Sequence, residues 1–255
     1  MNLDTLTNRL DELLRTDDFA DIDGNANGLQ VGPSTDQTVN HVAFAVDAAQ
    51  ATIDEAVTIG ADMLVTHHGL WWEGTERLTG YSYDRVEALI EGDLALYVSH
   101  LPLDAHQELG NAARIGDLLS LTDRDAFGTY GTEHVGQQGR LDPPQSIADI
   151  VVTLEEHLEG DRGVHQLTFG DEQVESVGIV TGAGVDYLEP AAEAGLDLLI
   201  TGEGKQHAHH LARELEINLL LAGHYATETG GVKGLCSVVG DWGVETTYLS
   251  HPMRL

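Results

Sequence analysis

A single cysteine, Cys236, excludes an intramolecular disulfide and any thiolate cluster within one chain, so a metal here has to be held by imidazole and carboxylate. Lysine is almost missing: Lys205 and Lys233 are the only two, and 12 Lys+Arg stand against 43 Asp+Glu, for a formal net charge of -31. Such a field repels phosphate backbones and anionic membranes and gathers cations, which makes nucleic acid a poor partner. No segment approaches the roughly 18 apolar residues of a membrane span. The opening Met1-Asn2-Leu3-Asp4 carries neither a basic region nor an apolar run, and together these absences predict a cytoplasmic protein. Also lacking are a GxxxxGK loop followed by Ser or Thr, a strand leading into GxGxxG, and a GxSxG elbow. The glycines of GNANGLQVG (Gly24 to Gly32) have no such context, and Cys236 reads as part of an apolar strand with no histidine near it in sequence.

What is present fits one sizeable core or two halves sharing one: 255 residues, 42% hydrophobic and 22% charged. The carboxylates are scattered through well-patterned segments instead of forming a tail, as on the solvated acidic surface of a salt-adapted, halophilic protein. Leu3, Leu6, Leu10, Leu13 and Leu14 recur at helical spacing behind Asn2 and Asp4, predicting an opening amphipathic helix of about three turns. Then His41 to Asp47 reads as a buried strand, Ala48 to Ile59 as a helix, and Ala61 to Thr66 as a second buried strand ending in His67-His68-Gly69. Open α/β sheets place ligands at such carboxyl ends of strands.

The pattern recurs. Val177 to Val180 aligns with Val42 to Ala45, and Gly195 to Thr201 with Gly60 to Thr66, both by one ungapped shift of 135 residues. The shift sets Gly202-Glu203 opposite His67-His68. A further apolar strand follows each copy, Leu94 to Ser99 before His100-Leu101-Pro102-Leu103-Asp104, and Asn218 to Gly223 before His224-Tyr225-Ala226-Thr227-Glu228. Each copy thus ends a strand with a histidine followed four residues later by a carboxylate. The reading is an α/β protein of two pseudo-repeated halves, about 1–123 and 124–255, with the repeat core 42–68 matching 177–203, packed around a dinuclear metal site. The stretch 124–172, read as a strand around Thr129 to Leu141, a helix from Pro144 to Leu158 and a strand near His165 to Phe169, is assigned to packing within the second half.

The candidate metal ligands are His67, His68, Asp104, His224 and Glu228, all read as lying at strand ends. Adjacent side chains on an extended strand point to opposite faces, so using both His67 and His68 calls for two ions or a bent ligand pair. Imidazole and carboxylate together suit Zn, Mn, Fe, Ni or Co, and two such ions about 3.5–4 Å apart form a hydrolytic centre. Glu203 is the candidate general base, against the alternative of a solvated surface carboxylate. His100 and His106 flank Asp104 and count as near-site residues, as does His210, which shares a predicted helix with His207 and His209. His41, His134, His157, His165 and His251 read as structural. Arg77, Arg85, Lys205 and Arg213 are the only cations near the motifs that could meet an anion, and the favoured reading of each is a helix-surface charge.

THHGL (Thr66 to Leu70), HLPLDAH (His100 to His106), AGHYATETGG (Ala222 to Gly231) and NGLQVG (Asn27 to Gly32) resemble the NGG-interacting factor three-like family, whose members are labelled GTP cyclohydrolase 1 type 2 homologues. The resemblance covers essentially the whole chain. It implies two divalent ions per chain on ligands matching His67, His68, Asp104, His224 and Glu228, a toroidal homohexamer, and a short form without a large central insertion. The resemblance spans hydrolysis, cofactor assembly and partner binding, and the function expected here is metal-dependent hydrolysis of a small heterocyclic or phosphorylated substrate. The alternative, from another class, is a non-catalytic metal carrier or a scaffold for metallocofactor assembly.

Overall fold

The computed structural model describes every residue except 34, 35, 73, 75, 76, 161, 162, 254 and 255. In chain order it runs through helix α1 (Leu3–Leu14), strands β1 (Gly28–Val31) and β2 (His41–Asp47), α2 (Gln50–Thr58), β3 (Met63–His68), α3 (Tyr81–Glu91) and β4 (Ala95–Val98). Then come α4 (Leu101–Asp104), α5 (Asn111–Leu118), β5 (Thr122–Tyr130), β6 (Glu133–Ser146), α6 (Ile147–His157), β7 (His165–Leu167) and β8 (Gln173–Ile179). The chain closes with α7 (Leu188–Glu193), β9 (Leu198–Thr201), α8 (Ala208–Glu214), β10 (Asn218–Leu221), α9 (His224–Asp241) and β11 (Glu245–Tyr248). The fold is α/β, with two sheets in two compact units. Residues Met1–Leu103 and Val232–His251 form the first, and Asp104–Gly231 with Pro252 and Met253 the second, so the units are not consecutive halves of the chain. Among the described residues no helix is long and apolar enough to cross a membrane.

The first unit carries the sheet β1-β4-β3-β2-β11, parallel from β4 to β11 with β1 antiparallel at one edge. Its central strands are apolar without alternation, as a sheet covered on both faces requires. Ala43, Ala45, Ile53, Leu64, Leu96 and Val98 share one buried cluster. In α1 the Asn2 side chain accepts the Thr5 N–H at 2.8 Å, capping the helix, and Leu3, Leu6, Leu10 and Leu14 are buried.

The second unit carries β5-β6-β8-β9-β10-β7, with β8, β9 and β10 parallel and the flanking strands antiparallel. The single strand expected around Thr129 to Leu141 is a hairpin, β5 and β6. The helix expected from Pro144 starts at Ile147, because Pro144 and Gln145 continue β6 and Ser146 caps α6 by accepting the Asp149 N–H at 3.2 Å. Cys236, expected on an apolar strand, lies within the 18-residue helix α9. A short apolar run does not by itself reveal its period. The buried residues Val232, Leu235 and Val239, three and four apart, show that it is helical.

The parallel pairs β2–β3 and β8–β9 have the same register. Val42, Ala43 and Phe44 pair with Met63, Leu64 and Val65, and their counterparts 135 residues on, Val177, Gly178 and Ile179, pair with Leu198, Leu199 and Ile200. The edges repeat too. Asp62 Oδ2 accepts the backbone N–H groups of Asn40 and His41 at 2.7 and 3.1 Å, and Asp197 Oδ2 accepts those of Glu175 and Ser176 at 3.0 and 2.8 Å. One buried strand–helix–strand pattern thus produces the same local structure twice, and each copy delivers its next strand to a histidine-bearing loop or helix.

Candidate metal centre

In the first unit, β3 ends at His67 and His68 and β4 runs on to His100. The three imidazoles form one cluster, each offering a ring nitrogen within 4.8 Å of the others. The ring centroids of His67 and His68 are 4.8 Å apart and those of His67 and His100 are 5.1 Å apart. Both rings reach one cluster although the two residues are adjacent on β3. The strand stops at His68, and the chain departs through Gly69, where a Cβ would overlap the side chains of Gln30 and Asn25.

Every ring in this cluster has its Nδ1 anchored. His67 Nδ1 lies 2.9 Å from the Ser99 carbonyl, His68 Nδ1 2.9 Å from Asp47 Oδ1, and His100 Nδ1 2.9 Å from Asp23 Oδ1. A carbonyl or carboxylate oxygen only accepts, so Nδ1 carries the proton and the lone pair is left on Nε2, the arrangement of a metal-ligating histidine backed by an acceptor. Asp47 reaches His68 because the two residues pair across β2 and β3. Asp23 also takes the Asn27 side-chain N–H at 2.7 Å and the backbone N–H groups of Asn25 and Leu101. Burial opposes its charge, but the bonds from His100, Asn27 and Asn25 outweigh this and hold its carboxyl below the ordinary range. NGLQVG is explained here as well: Asn27 Oδ1 accepts the His100 backbone N–H at 2.7 Å, and Gln30 Oε1 accepts that of Leu70 at 3.0 Å.

In the second unit, His224 and Glu228 stand one turn apart at the start of α9, not at a strand end. His224 Nε2 is 3.1 Å from Glu228 Oε1, and His224 Nδ1 is 3.3 Å from Glu203 Oε2. Burial pushes the His224 pKa down, but the two carboxylates, Glu228 first, overcome it and raise it to about 9. The chain packs tightly behind this pair. Gly182, at φ +60, sits where a Cβ would overlap Glu228 Oε1, and its carbonyl accepts the N–H groups of Gly202 and Glu203 at 3.0 and 2.9 Å. Asp104, in the short helix α4, is buried, and its Oδ1 accepts from Asn111 at 2.8 Å and Thr181 at 3.2 Å.

The remaining candidates are spread out. Glu203 is half-exposed beside His224. His106 turns its Nδ1 onto the backbone N–H groups of Glu108 and Leu109. His207, His209 and His210 are exposed at α8, where His209 meets the Phe169 ring edge-on at 5.2 Å. Sequence reasoning missed Asp23, Asp47, Asn27, Asn111 and Gly182. Asp47 had a signal, as the one carboxylate closing a buried strand, whereas Asp23 lies in a turn with no spacing to mark it.

Residues 1–252 match the family model described as Duf34/NIF3 (NGG1p interacting factor 3). A protein of Halobacterium salinarum named GTP cyclohydrolase 1 type 2 homolog is 50% identical over 256 aligned residues, covering 100% of both chains. One of the same name from Archaeoglobus fulgidus is 39% identical with the same coverage. The crystal structure of TTHA1606 from Thermus thermophilus aligns at TM-score 0.89 and 35% identity over 100% of each chain. Reduced HcgD from Methanocaldococcus jannaschii, at 24% identity, TM-score 0.86 and 98% coverage of each chain, shares the fold.

Proposed function

The chain belongs to the Duf34/NIF3 (NGG1p interacting factor 3) family, and on that footing we propose that it is a dinuclear divalent-metal protein that hydrolyses a small heterocyclic or phosphorylated substrate, in line with relatives named GTP cyclohydrolase 1 type 2 homolog. The observation that carries the reading is the cluster of His67, His68 and His100, with donor atoms within 4.8 Å of one another and every Nδ1 tied to an acceptor. That donor set fits Zn, Mn, Fe, Ni or Co. In the proposed centre His67, His68, Asp104, His224 and Glu228 would hold the ions, with His100 beside His67 and His68.

When bound, such ions acidify water and polarise the bond it attacks. The chain's own residues hold the parts in place. Asp47 orients His68, Asn111 and Thr181 orient Asp104, and Glu203 steadies His224 through Nδ1 while lying half-exposed, placed to pass a proton to solvent.

Elemental analysis of protein purified without chelator is expected to give two divalent ions per chain, and a panel of nucleotides and pterin-like compounds to show metal-dependent turnover that His68→Ala abolishes. A metal content near zero that persists after reconstitution would remove the central claim. If nothing turns over while the metal passes readily to an acceptor protein, the carrier reading replaces the hydrolase.

A homohexamer is part of the same proposal. Helix α3 buries only Leu89 and leaves Tyr81, Tyr83 and Ile90 exposed, apolar surface that a second copy would cover. Light scattering in molar salt is expected to give six times the 27.4 kDa chain mass, and a monomer there would sink the ring. Low salt is the wrong condition, because unscreened repulsion at a net charge of -31 opposes any assembly.

A further inference from the structure

Of the three tryptophans, Trp242 lies under the Arg9 guanidinium, 3.9 Å from its ring centroid, and Trp71 is partly buried. Trp72 differs, because 49% of it is exposed although it stands within the histidine cluster. Its ring centroid is 5.0 Å from that of His100, in an edge arrangement at 79°, and 5.9 Å from that of His68. Its backbone is held by an antiparallel bridge to Asn25, a buried residue whose side-chain oxygen accepts from Gln30 at 3.1 Å. A large flat side chain is therefore fixed against two histidines of the cluster with about half its surface open, in a chain that has few aromatics and covers its exterior with carboxylates.

We infer that Trp72 is a stacking platform for the ligand of this site, and that the ligand is a flat, neutral or cationic nitrogen heteroaromatic. The inference rests on the metal reading above and narrows its substrate class. Stacking supplies affinity for any π-face and is tolerant of ring identity. Charge supplies the selection: Asp47 and Asp23 behind His68 and His100, with the proposed ligand carboxylates Asp104 and Glu228, would offset the positive charge of bound ions, so the -31 of the chain still opposes a polyphosphate tail. A ring without that tail meets the indole on one side and the imidazoles beside it. Trp72 in this account positions the ring, and the metal ligands do the chemistry.

The test is calorimetric titration of full-length, metal-loaded protein with pterin and, separately, with GTP, using wild type, Trp72→Ala and Trp72→Phe, with metal per chain measured for each. Pterin is expected to bind wild type more tightly than GTP does. Trp72→Ala should weaken pterin by about 5- to 150-fold, the range for loss of one stacked base, and Trp72→Phe by much less, with metal content unchanged. Equal pterin affinity in wild type and Trp72→Ala overturns the inference, as does tighter binding of GTP than of pterin, or no pterin binding to wild type at millimolar concentration. Absence of metal from wild type counts against the proposed function alone, since stacking is read from the ratio of wild type to Trp72→Ala.

Discussion

Glu228→Gln is expected to remove about one of the two proposed ions per chain and to bring the His224 pKa down from about 9 toward its ordinary value, because the carboxylate 3.1 Å from Nε2 is the main group holding the proton there. Elemental analysis reads the first effect and NMR titration of the imidazole C–H signals of chelator-treated protein reads the second. The stability consequence has a definite sign. A folded-state pKa above the unfolded value of 6.5 contributes stability that is fully present below pH 6.5 and is lost as pH rises through about 9. Metal-free wild type should therefore lose up to about 3 kcal/mol between pH 6.5 and 9.5 from this group, and Glu228→Gln should lose much less over the same window. Parallel denaturant midpoints for the two proteins across that window would contradict the assignment. With metal present the order changes, since an ion must displace the His224 proton, and binding is expected to strengthen as pH rises toward 9.

Gly182→Ala is expected to damage the same site without replacing a proposed ligand. The residue sits at φ +60, and a Cβ there would overlap Glu228 Oε1 and come within 3.1 Å of His224 Nε2. Glu228 is buried, so its carboxylate would have to shift within packed surroundings, and the Gly182 carbonyl is already committed to the N–H groups of Gly202 and Glu203. Backbone strain and overpacking together suggest a loss of about 2–4 kcal/mol. For a chain of this size that is a fall in Tm of about 5–15 °C. Metal retention should fall with it. Gly243→Ala is the matched control: it has a similar positive φ, of 85, with nothing within 4 Å of the new Cβ, so it should show only the backbone part of the loss and keep its metal. Equal effects of the two substitutions would show that contact with Glu228 and His224 plays no part.

Several features were legible in the residues alone because their cause is local. The apolar runs without alternation at His41 to Asp47 and Met63 to Thr66 read as strands covered on both faces and are strands, and the ungapped shift of 135 residues foretold two strand pairs that turn out to share one register. Net charge and the single cysteine restricted a metal to imidazole and carboxylate before any fold was known. Helix against strand at Cys236 was not legible, since a run that short has no clear period and its buried positions, Val232, Leu235 and Val239, are selected by packing.

What only the tertiary structure decided is the set of groups behind the clustered histidines. Asp23 lies 77 residues from His100 and Asp47 lies 21 from His68, and neither separation corresponds to any helical or strand period. Likewise Gly182 and Glu228 are far apart in sequence, and their close approach follows from the end of β8 and the start of α9 lying together in one unit. A ligand type can be read from one residue, because donor chemistry belongs to the side chain. Its tautomer, its pKa and the room around it belong to neighbours that the chain supplies only once it is folded.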